Sequence, residues 1–238
     1  MTIHIINRLF IILSLLVTQL SYGQKSKNDT IFFQNDTVEP SIYKSNVRYT
    51  FIDPNRHSKY YKDLVRFRFG EFDDKTYGSS LEYLKDKNEK LTKKNPDVFA
   101  TKWVILQTYH NNFYVYYPCD FYNYFKQSIN DTTFIDWTGE GPIANKIIDA
   151  RAIDSSTYFF QLAGQYHHER KLIIHIIDRQ RGIAVFEEID SERGKSYKLM
   201  IAADKIKTVP IVLTRCYDAY SYFGDFDDPD FEKLLKKK

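Results

Sequence analysis

Tyr166-His167-His168-Glu169 sets residue types that ligate metals or move protons side by side. Consecutive residues of a strand point to opposite faces, so such a row does not converge on one ion, and no second histidine-rich stretch lies near it. A polar hairpin tip is the plainer expectation. His175 sits among isoleucines, the setting of a neutral histidine bonded to one neighbour. The acidic run Asp225-Phe226-Asp227-Asp228-Pro229-Asp230 lacks the glycine and closing glutamate of an EF-hand loop, and helix capping accounts for most of it. Glu187 and Glu188 alternate across a strand and so do not share a site. Cys119 and Cys216 have no histidine close in sequence, and nucleophile elbows, phosphate loops and dinucleotide fingerprints are missing. These patterns point away from catalysis, and no catalytic residue, metal or cofactor is expected. An enzyme assembled from scattered residues would instead need His110 or His175 beside a carboxylate in an open cleft.

A second group of residues offers binding rather than reaction. Thr101 to Phe125 reads as a β-hairpin turning on Asn111-Asn112, residues that tolerate positive φ. Tyr109 then faces Tyr114, Gln107 faces Tyr116 and Leu106 faces Tyr117. Alternation places Trp103, Gln107, Tyr109, Tyr114 and Tyr116 on one face, aromatic with polar tips, and hydrocarbon on the other. These five are the candidate ligand-binding residues, because pockets for small molecules combine apolar walls with a few fixed polar groups.

The elements that must hold them follow from periodicity. Beyond the hairpin, strand-like runs cover Tyr122–Ser128, Thr132–Trp137, Asn145–Ile153, Thr157–Ala163, Lys171–Asp178, Ile183–Ile189, Tyr197–Ala203 and Val209–Tyr217. The breaks between them are short, and short connections join only antiparallel neighbours. The predicted fold is mainly β, α+β overall: an up-and-down antiparallel meander of eight to ten strands over residues 99–226, closing into a barrel to remove its edges. Leu172 to Ile177 and Ile183 to Phe186 are apolar on both faces, so something must cover the barrel from outside. A mixed, helical preface over 41–98 supplies that cover, with helices expected at Ser58–Phe69 and at Ser79–Lys94, the latter from a Ser79/Glu82 capping box. Residues 227–238 carry a C-terminal helix, capped by Asp228 with Pro229 following, whose Phe231, Leu234 and Leu235 can dock on the same face.

Residues 1–23 carry the single cation Arg8, an apolar run Leu9 to Val17 and the small tail Ser21-Tyr22-Gly23. That is the plan of a secretory signal peptide, too short in its apolar part for a comfortable span; an uncleaved anchor is the alternative. Removal after Gly23 gives a secreted or periplasmic product without a transmembrane anchor, and no cysteine at the junction offers lipid attachment. A flexible polar segment, 24–40, follows. The formal charge of +3 becomes +2 without Arg8, and the two signs are interleaved, so no nucleic-acid partner is indicated. Cys119 and Cys216, in an oxidising compartment, could form one disulfide closing a loop of about 97 residues, roughly 4 to 5 kcal/mol in the chain-entropy model; two unpaired thiols are the alternative. Asn-Asp-Thr occurs at Asn28, Asn35 and Asn130, matching a glycosylation acceptor and also ordinary turn composition.

An exported meander barrel with Trp103 near the start of its first strand and Arg215 on its last resembles the lipocalin and wider calycin pattern. Thr101-Lys102-Trp103 stands where that family has Gly-x-Trp. The resemblance implies that Arg215 packs over the Trp103 ring, a cation–π contact of roughly 0.5 to 2 kcal/mol, and adds Arg215 to the ligand-site residues. The expected function is non-enzymatic binding of a small apolar or aromatic ligand. The alternative is a cell-envelope interaction protein with no cavity, working through exposed aromatics around Phe121, Tyr122 and Tyr124 or Tyr217 to Phe223.

Overall fold

Alternating apolar residues set most of the stretch from 102 to 215 in strands, and eight of these strands solve their edge problem by closing on themselves. A computed structural model describes residues 49–53, 55–94, 97–118, 125–215 and 226–236, with backbone only at 49–51, 214 and 215. The expected signal peptide, the 24–40 segment, Cys119, Cys216 and the aromatic patches at 121–124 and 217–223 lie outside the described residues. Eight strands form the ring: β2 (Lys102–Tyr109), β4 (Lys126–Ile129), β5 (Thr133–Thr138), β6 (Gly141–Asp154), β7 (Thr157–Gly164), β8 (Arg170–Asp178), β9 (Ile183–Asp190) and β10 (Gly194–Ala202). From β4 to β10 each strand pairs antiparallel with the next in sequence, and β2 closes the ring by pairing with both β10 and β4.

β2 does two jobs along its length. Lys102 to Val104 pair with β4, while Leu106 to Tyr109 pair with β3 (Asn112–Tyr117), so the second half of β2 leaves the barrel. Outside the ring β3 pairs with β11 (Ile211–Arg215), which pairs with β1 (Tyr49–Asp53). The β3–β11 pair is parallel, and almost the whole barrel serves as its crossover. Arg215 therefore sits opposite Tyr49 on a strand outside the closed ring.

The hairpin turn is one residue earlier than expected. His110 and Asn111 carry the positive φ values, 48° and 60°, and Asn112 opens β3, its side-chain amide donating to the His110 carbonyl at 3.1 Å. Gln107 consequently faces Tyr114, and Leu106 faces Val115. A slip of two in pairing leaves every side chain on its expected face, because the pleat repeats every two residues.

The two-faced strands of the ring build two of the three buried apolar clusters among the described residues. Inside the barrel, Trp103, Phe134, Phe160, Leu162, Leu172, Ile174, Phe186 and Met200 are buried together. Trp103 and Phe186 meet edge-on at 5.1 Å, Phe134 and Phe160 at 6.1 Å. Each such side chain contributes about 1.5 to 3 kcal/mol by leaving water. The outward residues Val104, Ile183, Val185, Leu199 and Ile201 form a second core with Val115, Ile211 and Leu213 of the outer strands. Helix α1 (Lys59–Leu64) buries Tyr61 and Leu64 there, and α3 (Phe231–Lys236) adds Phe231, Leu234 and Leu235, with Phe231 stacked on Tyr197 at 5.1 Å.

The helix boundaries depart from the sequence signals. α1 stops at Leu64, and Phe67 and Phe69 pack instead against Trp137 at 5.5 and 5.0 Å. Helix α2 spans Glu71–Asp86, eight residues ahead of the expected Ser79 start. Asp73 accepts from the Gly70 amide at 3.0 Å, and Glu71, Asp73 and Asp74 place negative charge on the first turn. Asn88, inside the expected Ser79–Lys94 helix, terminates α2 at φ 58°, while Glu89 N–H returns to Leu84 O and Asn88 N–H to Lys85 O. Ser79 is thus mid-helix; its neighbour Ser80 docks the helix on β6 by accepting from the Ala144 amide at 2.9 Å. No helix among the described residues is long and apolar enough to cross a membrane.

Candidate functional site

Inward-facing positions change character along the barrel. Phe186 on β9 is followed two residues on by Glu188, Leu172 on β8 is preceded by Arg170, and Met200 on β10 by Lys198. Gln127 on β4, Asp136 on β5 and Asn145 on β6 complete the layer. Antiparallel pairing brings all six to one end, a polar mouth beneath the β5–β6, β7–β8 and β9–β10 turns. A cavity of about 560 Å3 opens there, with these six residues in its lining.

Arg170 organises the layer, its side chain only 2% exposed. Nη2 donates to Asp136 Oδ2 at 2.5 Å, Nη1 reaches Glu188 Oε2 at 3.5 Å, and the guanidinium lies 5.5 Å from the Phe134 ring centre. Gln127 Nε2 bridges the two carboxylates, at 2.9 Å from Asp136 Oδ1 and 3.3 Å from Glu188 Oε1. Asn145 donates to Asp136 Oδ2 at 2.9 Å, and Lys198 to Glu188 Oε1 at 3.0 Å. Burial pushes the Asp136 carboxyl up, but Arg170, Lys198 and the Gln127 amide outweigh it and hold Asp136 below the ordinary carboxylate range. Arg170 Nε and Gln127 Oε1 are buried with no hydrogen-bond partner among the described residues. A buried polar atom left this way carries a desolvation penalty of about 1 to 3 kcal/mol.

At the rim, His167 Nδ1 lies 2.6 Å from Asp190 Oδ2, and Asp190 Oδ1 accepts the amides of Glu192 and Arg193 at 2.8 and 2.9 Å. Burial again pushes upward, and the bonds from His167, Arg193 and Glu192 win, leaving Asp190 at about 2. Tyr166 and Phe125 stand at the rim, 50% and 43% exposed. On the outer wall, Lys126 Nζ donates to Arg66 O at 2.9 Å and lies 4.9 Å from the Phe67 and 5.2 Å from the Trp137 ring centres. Burial lowers this ammonium to about 8, with Asp73 opposing and Arg66 reinforcing.

The sequence-derived candidates lie elsewhere. Trp103 is 1% exposed at the apolar end of the barrel, in ring contact with Phe99 and Phe186, its indole N–H donating to Ala100 O at 3.0 Å. Tyr114 and Tyr116 are buried with Val212, and Tyr109 packs against them in the outer strands. Gln107 faces Tyr114 there. β2 crosses from ring to outer strands between Trp103 and Gln107, so one strand face serves two compartments. Lipocalin-like contact of Arg215 with Trp103 rests on a side chain outside the described residues.

His168 Nδ1 is 3.3 Å from the Tyr83 hydroxyl, and Glu169 bonds to Gln161, so the Tyr166–Glu169 row disperses around its hairpin. No group of three or more potential ligands converges on a metal among the described residues. His175 Nε2 sits 2.9 Å from Glu187 Oε2 on the outer wall, away from the mouth, while Glu188 points inward, as alternation requires. Asn130, within the third Asn-Asp-Thr, accepts the Thr132 and Thr133 amides at 2.8 and 2.6 Å in the β4–β5 turn. Six-strand polar convergence escapes a motif search. Its signal is a charged residue on the inward parity of an otherwise apolar strand, visible at Arg170 and Glu188.

Compared with known proteins, the chain matches no family model, no curated protein and no solved structure, and the geometry of the barrel mouth is what a functional reading must stand on.

Proposed function

We propose that this is an exported, non-catalytic binding protein that holds a small molecule in the mouth of its barrel, in the manner of a lipocalin-like carrier. The observation that carries the reading is the buried Arg170–Asp136–Glu188 cluster flooring an open cavity of about 560 Å3, within the roughly 300 to 1,000 Å3 of small-molecule sites. A polar cluster serving stability alone gains little over apolar packing. Here it sits where the barrel opens.

Catalysis fits less well. Asp136 is held ionised and Asp190 stands at about 2, so neither carboxyl is poised near neutrality as a general acid or base. The apolar end is packed with Trp103, Phe160 and Phe186, and the open cavity lies at the other end, over the polar layer. The ligand we propose is polar at its buried end and bounded by aromatic rings at the rim.

A fragment library screened by amide NMR on the mature chain tests this. Shifts clustering on Gln127, Asp136, Asn145, Arg170, Glu188 and Lys198 are expected. Fragments clustering elsewhere, or nowhere, would overturn the reading.

A further inference from the structure

We infer that the ligand of the barrel mouth is a neutral saccharide of one or two rings, hydrogen-bonded to the planar polar floor and stacked against the aromatic rim. The inference rests on the binding reading above and names its ligand class. Charge in the floor is already matched: Arg170 stands between Asp136 and Glu188, and Lys198 faces Glu188, two cations against two carboxylates. Of the other charged residues in the lining, Lys126 donates to Arg66 O, Arg193 reaches Tyr166 O at 3.5 Å, and Glu140 lies on the β5–β6 turn. An ionic ligand seated on the floor would meet cations and carboxylates already paired with one another, and desolvating a charge is costly without an opposite charge to receive it.

What the floor offers is orientation. Gln127, Asp136, Asn145, Arg170 and Glu188 are planar groups held by one another, presenting fixed donors and acceptors together. A hydroxyl both donates and accepts, so a polyhydroxylated ring is the ligand class whose every polar group can engage either kind. Gln127 Oε1 and Arg170 Nε, unpartnered among the described residues, are one acceptor and one donor in the same layer. Small rearrangement of either side chain on binding would recover a bond.

The rim supplies the complementary surface. Tyr166 and Phe125 are among the most exposed large hydrophobic residues of the described chain, and both border this cavity. The C–H face of a pyranose is flat and apolar and matches an aromatic face, whereas a fatty chain would need an apolar shaft below the floor. Leu162, Leu172 and Phe134 fill that space.

The mature chain titrated with glucose, galactose, mannose, N-acetylglucosamine, maltose, cellobiose and lactose, followed by calorimetry and amide NMR, tests the inference against glutamate, citrate and cis-parinaric acid. At least one neutral sugar is expected to saturate with Kd below about 1 mM, shift the floor amides, and bind equally at low and high salt. Tyr166→Ala, at an exposed position, should weaken it about tenfold, and Tyr166→Phe should retain it. Saturation by glutamate, citrate or parinaric acid at the mouth with no sugar bound would overturn the saccharide assignment and leave the binding reading standing. Sugar binding that ignores Tyr166→Ala and shifts amides away from the floor would overturn it as well, as would silence from every sugar.

Discussion

Arg170 on β8 and Asp136 on β5, separated around the ring by β6 and β7, meet at 2.5 Å across the barrel mouth. The contact ties opposite walls together and places a charge pair where the apolar filling stops. Removing the cation alone leaves Asp136 with only the neutral donors Gln127 and Asn145 and Glu188 with Lys198 as its one cation. Arg170→Met should destabilise the fold by about 3 to 5 kcal/mol, read by urea unfolding; a loss under about 1 kcal/mol would show that the carboxylates reach water unaided.

Asp190 ties its acid limb to His167 and the β9–β10 turn. Its folded value of about 2 lies below the ordinary 3.8, so unfolding takes up a proton between these values. The stabilisation is complete above about pH 4 and drains away as pH falls toward 2. Asp190→Asn should lower stability at neutral pH and flatten the acid limb; urea midpoints at descending pH check both, and an unchanged slope would contradict the assignment.

Lys126 works in the opposite direction. Its ammonium is lowered to about 8 in the fold and titrates near 10.5 when unfolded, so the unfolded chain binds more protons between these values. Stability contributed at this site rises with pH across that window. Lys126→Met should abolish the rise, measured as the difference in urea midpoints between the two ends of the window.

Gly164 abuts the floor from β7. A Cβ there would lie 2.2 Å from Asn145 Oδ1, and Asn145 holds Asp136 as well as the Phe134 carbonyl. Gly164→Ala should destabilise by about 1 to 3 kcal/mol and move the Asp136 and Gln127 amides in NMR spectra. Unmoved floor amides would show that Asn145 yields without consequence.

Tyr61 fastens α1 to the segment between β10 and β11 by donating to the Val209 carbonyl at 3.0 Å, and receives Arg56 Nη1 at 3.0 Å. Tyr61→Phe keeps the packing and orphans a buried acceptor, so a loss of about 1 to 2 kcal/mol is expected in thermal or urea unfolding. Equal stability would mean that the carbonyl finds another donor.

Much of this architecture was legible from one dimension. Period-two alternation with short polar breaks dictates an antiparallel up-and-down sheet, since no short loop can return a strand in parallel. Strands apolar on both faces, Leu172 to Ile177 and Ile183 to Phe186, dictate cover outside the barrel, because the pleat sends half of those side chains outward. Neither inference needs a contact map.

Other features were decided only in three dimensions. Alternation assigns a side chain to a face but says nothing about which neighbour takes each edge, so the division of β2 between β4 and β3, which parts Trp103 from Tyr114 and Tyr116, is invisible in the sequence. Ser79 with Glu82 and Gly70 with Asp73 are comparable local starts for α2; docking of Ser80 on Ala144 selects the earlier frame. The floor of the mouth draws single residues from six strands, each unremarkable beside its neighbours in the chain. Closure of the ring turns those separate inward positions into one layer, and burial in common is what makes their charges answer one another.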